Sequence, residues 1–315
     1  MLKQFTGLLV AAATLTAFGP FAHAWEPKKP IQIIVGFAAG GGTDIIARQI
    51  AASAQPFFPV PLVIVNKPGA AGTLAAQQVA RETPDGHTLL VAGGSESTAV
   101  PAYRDTQYDP RKDFRPIIRL TENPQLLVVS ANSPFKSVAE LIEKAKANPG
   151  QVSHGSSGVG SLVHATSDVL ARRAGAKFKH IPYQGGGPAV QALVAGQLDF
   201  MFSASDEIQG QLEGNTVRPL AIASAKRDPQ FPDLPTLKEL GYDFAAANMK
   251  GLVAPAGLPD DVYQYLHDNF RKGMEAQIWK DFASKGKFSD GYLNGPDFQR
   301  EITNLLNEIS AAVKG

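Results

Sequence analysis

The stretch "IQIIVGFAAGGGTDIIARQI", residues 31–50, decides the fold. Its β-branched apolar run, Ile31 to Val35, is that of a buried strand. Gly40-Gly41-Gly42 breaks the run, and apolar positions 45, 46, 50 and 51 then mark one face of a helix with Thr43 as its N-cap. A strand, a glycine turn and a helix offer the unbonded amides and positive dipole end of the helix start to an anion, and glycines let the main chain come close to it. Two readings stand at this point: the loop holds a carboxylate or phosphate, or it is only a tight turn. Nucleotide loops fit poorly, because no Gly-Lys-Ser/Thr follows and the G-x-G-x-x-G spacing is missing. Asp44 is most simply a first-turn acid favoured by the dipole.

The same scheme recurs along the chain. "PLVIVN" runs into "KPGAAGTLAAQQVARE", and "HTLLVAGG" ends in small residues. "DFRPIIRL" and "QLLVVSA" read as two strands, and "SVAELIEKAKANPG" as a helix opened by a capping box from Ser137 to Glu140. "QVSHGSSGVGSLVHATSDVLARRAG" and "FKHIPYQGGGPAVQALVAGQLDFMFSA" are strand, Gly-rich loop, helix again. Strands end in small-residue loops at 38–44, 67–73, 93–98, 155–161 and 184–188. Alternation of this kind predicts an α/β fold with parallel sheets, and ligands of such sheets bind beyond the carboxyl ends of the strands.

Composition narrows the function. Lys3, the apolar run after it and Ala22-His23-Ala24 read as a secretory signal peptide over 1–24, cleaved after Ala24. Gly19 and Pro20 argue against a spanning helix there. The absence of cysteine removes disulfides, thiol catalysis and a lipid-modified N-terminus, which fits a soluble periplasmic protein. The net charge of +1 gives no field for nucleic acid. Six scattered histidines form no metal-ligand spacing, so neither a metal nor a cofactor is expected.

"HGSSGVGSLVH" invites a serine hydrolase reading, with Ser156 or Ser157 as nucleophile and His154 or His164 as base. The G-x-S-x-G spacing of a nucleophile elbow is missing, so no catalytic residue is assigned. His164 is either a locally paired structural residue or a ligand contact. Tyr183, beside three glycines, reads as a cleft wall rather than a core aromatic. In "MFSASDE", Ser203 and Ser205 can reach a cleft, while Asp206 and Glu207 are solvated caps or partners of an amine.

With these loops in place, "PKKPIQIIVGFAAGGGTDIIAR", "VNKPGAAGTLAA", "TPDGHTLLVA", "YDPRKDFRPI", "HGSSGVGSLVHATSDVL", "HIPYQGGGPAVQALVAGQLDFMF" and "GLVAPAGLP" together resemble the Bug family of extracytoplasmic solute receptors of tripartite tricarboxylate transporters. The resemblance covers nearly all of the chain after residue 24, in order. It implies a two-domain periplasmic binding protein of the Venus-flytrap, type II-like kind. Each domain would be a mainly parallel sheet flanked by helices: 25–125 plus 247–315, and 126–246. It further implies a monomer that binds a small di- or tricarboxylate or aromatic acid between the domains and passes it to the large and small membrane subunits of the transporter. A receptor feeding a membrane sensor would share the fold.

Carried over by position, the implied ligand contacts are Ala39, Gly40, Gly41 and Thr43 in the first loop, Ala71 and Gly72 in the second, and Ser95 in the third. Ser157, Ser161, His164, Tyr183, Gly185, Gly186 and Ser203 would come from the other domain. The chain departs from the family at Gly36, where proline is common, and at Ser203-Ala204, where an Asp-Asn-like pair is common. It also carries Glu96 in the third loop, expected to point to solvent; facing inward, it would favour a ligand with an amine.

Overall fold

Four of the five residues of β1 (Ile31–Val35) are buried, on both faces: Ile31, Ile33 and Val35 join one core cluster, and Ile34 joins another, with Gln32 exposed. This is the period-2 burial of a central strand packed by helices on both sides. β1 pairs in parallel with β2 (Leu62–Asn66) and β3 (Thr88–Ala92). The computed structural model describes residues 25–183, 185–286 and 291–314; the leader expected over 1–24 lies outside the described residues.

The two segments expected as separate strands are one, β4 (Phe114–Ser130). The remaining strands are β5 (Ser153–Ser156), β6 (Lys179–Pro182), β7 (Phe200–Ala204), β8 (Val217–Ile222), β9 (Ala247–Pro255) and β10 (Leu293–Asn294). The order is β2-β1-β3-β9-β4-β7-β5-β6, with β8 and β10 also on β4. Residues 114–124 of β4 pair with β9, and residues 125–130 pair with β7 and β8. Pro124, which has no N–H to give a ladder, sits at the changeover, so the chain stays extended while it switches partners. β5 pairs in parallel with β6 and β7, mirroring β2-β1-β3, whereas β4 and β9 between these groups run antiparallel.

The helices are α1 (Gly42–Ala54), α2 (Thr73–Val79), α3 (Val100–Tyr103), α4 (Val138–Ala147), α5 (Leu162–Ala174), α6 (Gly186–Val194), α7 (Gln209–Glu213), α8 (Asp260–Glu275), α9 (Gln277–Gly286) and α10 (Gly295–Lys314). α1 lies so close to α8 that a Cβ on Gly273 would stand 2.7 Å from that of Ala54. Ser137 caps α4, accepting from Glu140 N at 3.2 Å. α10 buries Phe298, Ile302, Leu305, Leu306 and Ile309, an i, i+4, i+7, i+8, i+11 stripe, and its end reaches α5 through Arg173–Glu308 at 3.6 Å. Among the described residues no helix is long and apolar enough to cross a membrane.

Candidate functional site

The seam where β4 leaves one group of strands for the other has a polar floor. Thr121 lies opposite Lys250, and Asn123 opposite Asn248, so these four side chains share one face of the β4/β9 ladder. Thr121, Asn123 and Lys250 are each no more than 2 % exposed. Thr121 Oγ1, Asn123 Nδ2 and, two residues on, Gln125 Oε1 are buried without a hydrogen-bond partner among the described residues. An unpaired buried polar atom costs about 1–3 kcal/mol. Three in alternate positions of one strand therefore mark a surface shaped for something other than stability.

One wall is the start of α1. The helix begins at Gly42, one residue before the expected start, with Gly41 as N-cap, so Thr43 is not the cap. Gly41 has no side chain to offer. The first helical bond is Ile45 N to Gly41 O at 3.0 Å, so the amides of Gly42, Thr43 and Asp44 precede the ladder. Asp44 pins the loop from behind. It accepts from Gly40 N at 2.8 Å, Arg48 Nε at 2.9 Å and Asn66 Nδ2 at 2.9 Å. Burial alone would raise its carboxyl, but these bonds hold it below the ordinary carboxylate range.

The facing wall is the turn Ser205–Glu207 after β7. Lys250 Nζ donates to Asp206 Oδ2 at 2.7 Å, with both side chains sealed and Asp206 Oδ1 left unpartnered. A Cβ placed on Gly42 would stand 3.3 Å from Asp206 Oδ2 and 3.7 Å from both Glu207 Cγ and Lys250 Nζ. On Gly186, at the start of α6, it would stand 3.2 Å from Glu207 Oε2. Two glycine helix starts thus pack against the same acidic turn, where a Cβ at either would already be in tight contact. Glu207 keeps accessible surface although protein surrounds it densely, as on the wall of a concavity. Burial, then Asp206, push its carboxyl up to about 7 against the pull of Lys250. Asn248 Nδ2 reaches its Oε1 at 3.4 Å.

The other expected contacts are distributed as follows. Gly40 and Gly41 are exposed ahead of the α1 start, with Ala39 beside them. Gly40 takes a positive φ of 81°. Ala71 (φ 55°) and Gly72 (φ 89°) form a left-handed turn behind the first loop. A Cβ on Gly36 would stand 2.7 Å from Gly72 Cα, which explains why this chain carries glycine there. Ser95 Oγ accepts from Leu162 N at 3.0 Å, joining the third loop to the start of α5. Ser161 caps α5 by accepting from His164 N at 3.4 Å. Ser157, Tyr183, Gly185 and Gly186 are part-exposed beside the second group of strands. Ser203 is 1 % exposed, and its hydroxyl donates to Ala204 O at 3.4 Å.

Glu96 corrects the expectation of a solvent-facing side chain. It is 2 % exposed and its Oε1 accepts from Gly93 N, Gly94 N and Ser97 Oγ at 3.0, 3.0 and 2.8 Å. Its carboxylate caps its own glycine turn, and burial, opposed by these bonds, pushes its carboxyl up.

The histidines form a stack. His164 lies 3.8 Å from His180, and His180 4.8 Å from His154, between ring centroids; Tyr103 of α3 stacks on His164 at 5.1 Å. His164 Nδ1 accepts from Gly160 N at 3.1 Å, and Tyr103 donates to Asp168 at 2.6 Å. Ser156 Oγ lies 2.6 Å from His180 Nε2, not against either histidine named for a hydrolase, and Ser156 is 0 % exposed. Among the described residues no group of three His, Asp or Glu could hold a metal.

Sequence reading missed Lys250, Asn248, Thr121 and Asn123. Lys250 carried a local signal, a single charge within the apolar run "NMKGLVAP". The others gain meaning only through register. Two surface grooves, about 400 Å³ along α2 by Gln77 and Arg81 and about 360 Å³ by Tyr263, bring no such set of unpaired polar atoms together.

A family model described as "Tripartite tricarboxylate transporter family receptor" matches residues 46–314. A protein of Cupriavidus necator, "UPF0065 protein in gbd 5'region", is 35% identical over 315 residues, covering 97% of this chain and 94% of that protein. MatC of Rhodopseudomonas palustris, solved with bound malate, is 31% identical with a TM-score of 0.80, covering 91% of this chain and 99% of its own. An R. palustris protein solved with adipate is 29% identical with a TM-score of 0.81, covering 91% and 97%.

Proposed function

The chain belongs to the family of tripartite tricarboxylate transporter receptors, which bind solutes and are not enzymes, and from that premise we propose that it captures a small carboxylic acid over the β4/β9 floor for delivery to a membrane transporter. The observation that carries this reading is the row of unpartnered buried polar atoms on Thr121, Asn123 and Gln125, on the strand paired with β9, whose Lys250 reaches the uncapped start of α1. A carboxylate placed there accepts from the amides of Gly42, Thr43 and Asp44 and meets the positive end of the helix. Malate and adipate in the two related structures support an acid as ligand.

The proposed division is 25–125 plus 247–315 against 126–246, with β4 and the chain before β9 as the crossings. Residues 39–43, 71, 72 and 95 stand on the first part, and 157, 161, 164, 183, 185, 186 and 203 on the second. A ligand touching both favours the closed arrangement by its differential affinity. Ser95–Leu162, Lys250–Asp206 and Tyr103–Asp168 are the contacts that closure makes. The family match supports large and small membrane subunits as partners and the periplasm as the compartment.

The test is thermal unfolding of residues 25–315 against a panel of small carboxylates with neutral controls. An acid at 100 times its dissociation constant adds about 2.7 kcal/mol of stability. A selective upward shift is expected. No shift with any acid would end the carboxylate reading.

A further inference from the structure

We propose that the solute carries an ammonium group beside its carboxylate, and that the turn Asp206–Glu207 is the ammonium subsite. The proposal rests on the receptor reading and names its ligand class more narrowly.

The argument is one of charge and unused bonding capacity. Around the start of α1 stand two carboxylates, Asp206 and Glu207, and one ammonium, that of Lys250. Lys250 pairs with Asp206 through Oδ2, and among the described residues Glu207 makes no ion pair of its own. Asp206 Oδ1 is buried, on a side chain 5 % exposed, and accepts from no donor among the described residues. Glu207 is part of the accessible wall, and its contact to Asn248 Nδ2 is long at 3.4 Å. The turn therefore offers a sealed acceptor and an accessible carboxylate beside Gly42, the first of three residues whose amides precede the α1 ladder. That is a donor-poor corner beside a donor-rich one, and a zwitterion satisfies both. An ammonium has three donors to give to Asp206 Oδ1 and Glu207, and such charge-assisted bonds are stronger than neutral ones.

A second carboxylate placed against this turn would face Asp206 and Glu207 with one lysine shared among three acids. Like charges so close together repel one another, and the single lysine is already paired with Asp206. Because Asp206 and Glu207 lie within 3.7 Å of the Cβ position of Gly42, the solute's ammonium and carboxylate must be close together. An α-amino acid meets that condition.

The experiment is calorimetric titration of residues 25–315 with matched acids that differ only by an α-amino group: propionate and L-alanine, succinate and L-aspartate, glutarate and L-glutamate. In at least one pair the amino acid is expected to bind ten times or more tighter than its partner. Glu207→Gln, at an accessible position, is expected to cut that preference at least fivefold, read as the ratio of the two dissociation constants. Asp206→Asn is expected to act in the same direction, with thermal unfolding as the check that each variant is folded.

Plain acids binding as tightly as their amino partners would overturn the subsite while leaving the receptor reading intact. An amino-acid preference unchanged by both variants would also overturn it. No binding by any member of any pair would overturn the subsite, and the carboxylate panel then tells whether the receptor reading falls with it.

Discussion

Asp44 shows what one side chain does for the glycine loop ahead of α1. Its carboxylate is bonded on both oxygens by Gly40, Arg48 and Asn66, so the glycine turn is held from behind while the α1 amides stay free. Hydrogen bonds to a charged group are worth about 1.5–3 kcal/mol, a figure that covers the bonds from Gly40 and Asn66 and leaves out the solvent-screened Arg48. Asp44→Ala is expected to lower unfolding stability by about 2–3 kcal/mol at pH 7, read from the urea midpoint. The sign with pH follows from a carboxyl held below its unfolded value: the contribution is present above about pH 4 and is lost as pH falls through the folded pKa. An Asp44→Ala protein as stable as the parent at pH 7 would contradict this. The first-turn placement of Asp44 was legible in sequence. Glu96 was misread because nothing local tells whether a Gly-Gly-Ser-Glu turn folds its acid onto its own amides. The Lys250–Asp206 pair was invisible because 44 residues separate its members.

Among the elements, the strand, small-residue loop and helix units were readable, since alternation of period sets them. β4 was not readable as one strand. Pro124 and the polar run Thr121–Gln125 look like a break, and only the pairing shows that they form the floor between two groups of strands. The histidine stack was equally hidden, because β5, β6 and α5 bring His154, His180 and His164 together from three separate units. Burial first, then the neighbouring histidines, push His154 down to about 3, and burial, then His164, push His180 down to about 4. Both are neutral in the folded chain and gain a proton on unfolding below about pH 6.5. Their contribution is therefore complete above that pH and is lost as pH falls toward 4. Stability is expected to fall by up to about 1.4 kcal/mol per pH unit for each such proton. His154→Phe, which keeps an aromatic ring between His180 and Phe200, is expected to flatten the slope between pH 6.5 and 4.5. The measurement is the urea midpoint across that range, and an unchanged slope would contradict the assignment.

At the scale of the whole molecule, stability and binding pull against each other on the floor. Asn123 is 2 % exposed and its Nδ2 has no partner, so it is a cost to the fold unless a solute repays it. Removing the polar groups in favour of an apolar side chain of similar size is then expected to leave stability unchanged or higher while binding is lost. The same reasoning separates a binding seam from an ordinary interior, in which such atoms are paired. The measurement that tests this most directly is calorimetric titration of the best acid from the panel into residues 25–315 and into Asn123→Leu. The account predicts one saturable site in the parent, a dissociation constant at least ten times weaker in the variant, about 1.4 kcal/mol, and an unfolding midpoint no lower than the parent's. Equal affinity in the two proteins would place the ligand elsewhere and contradict the account.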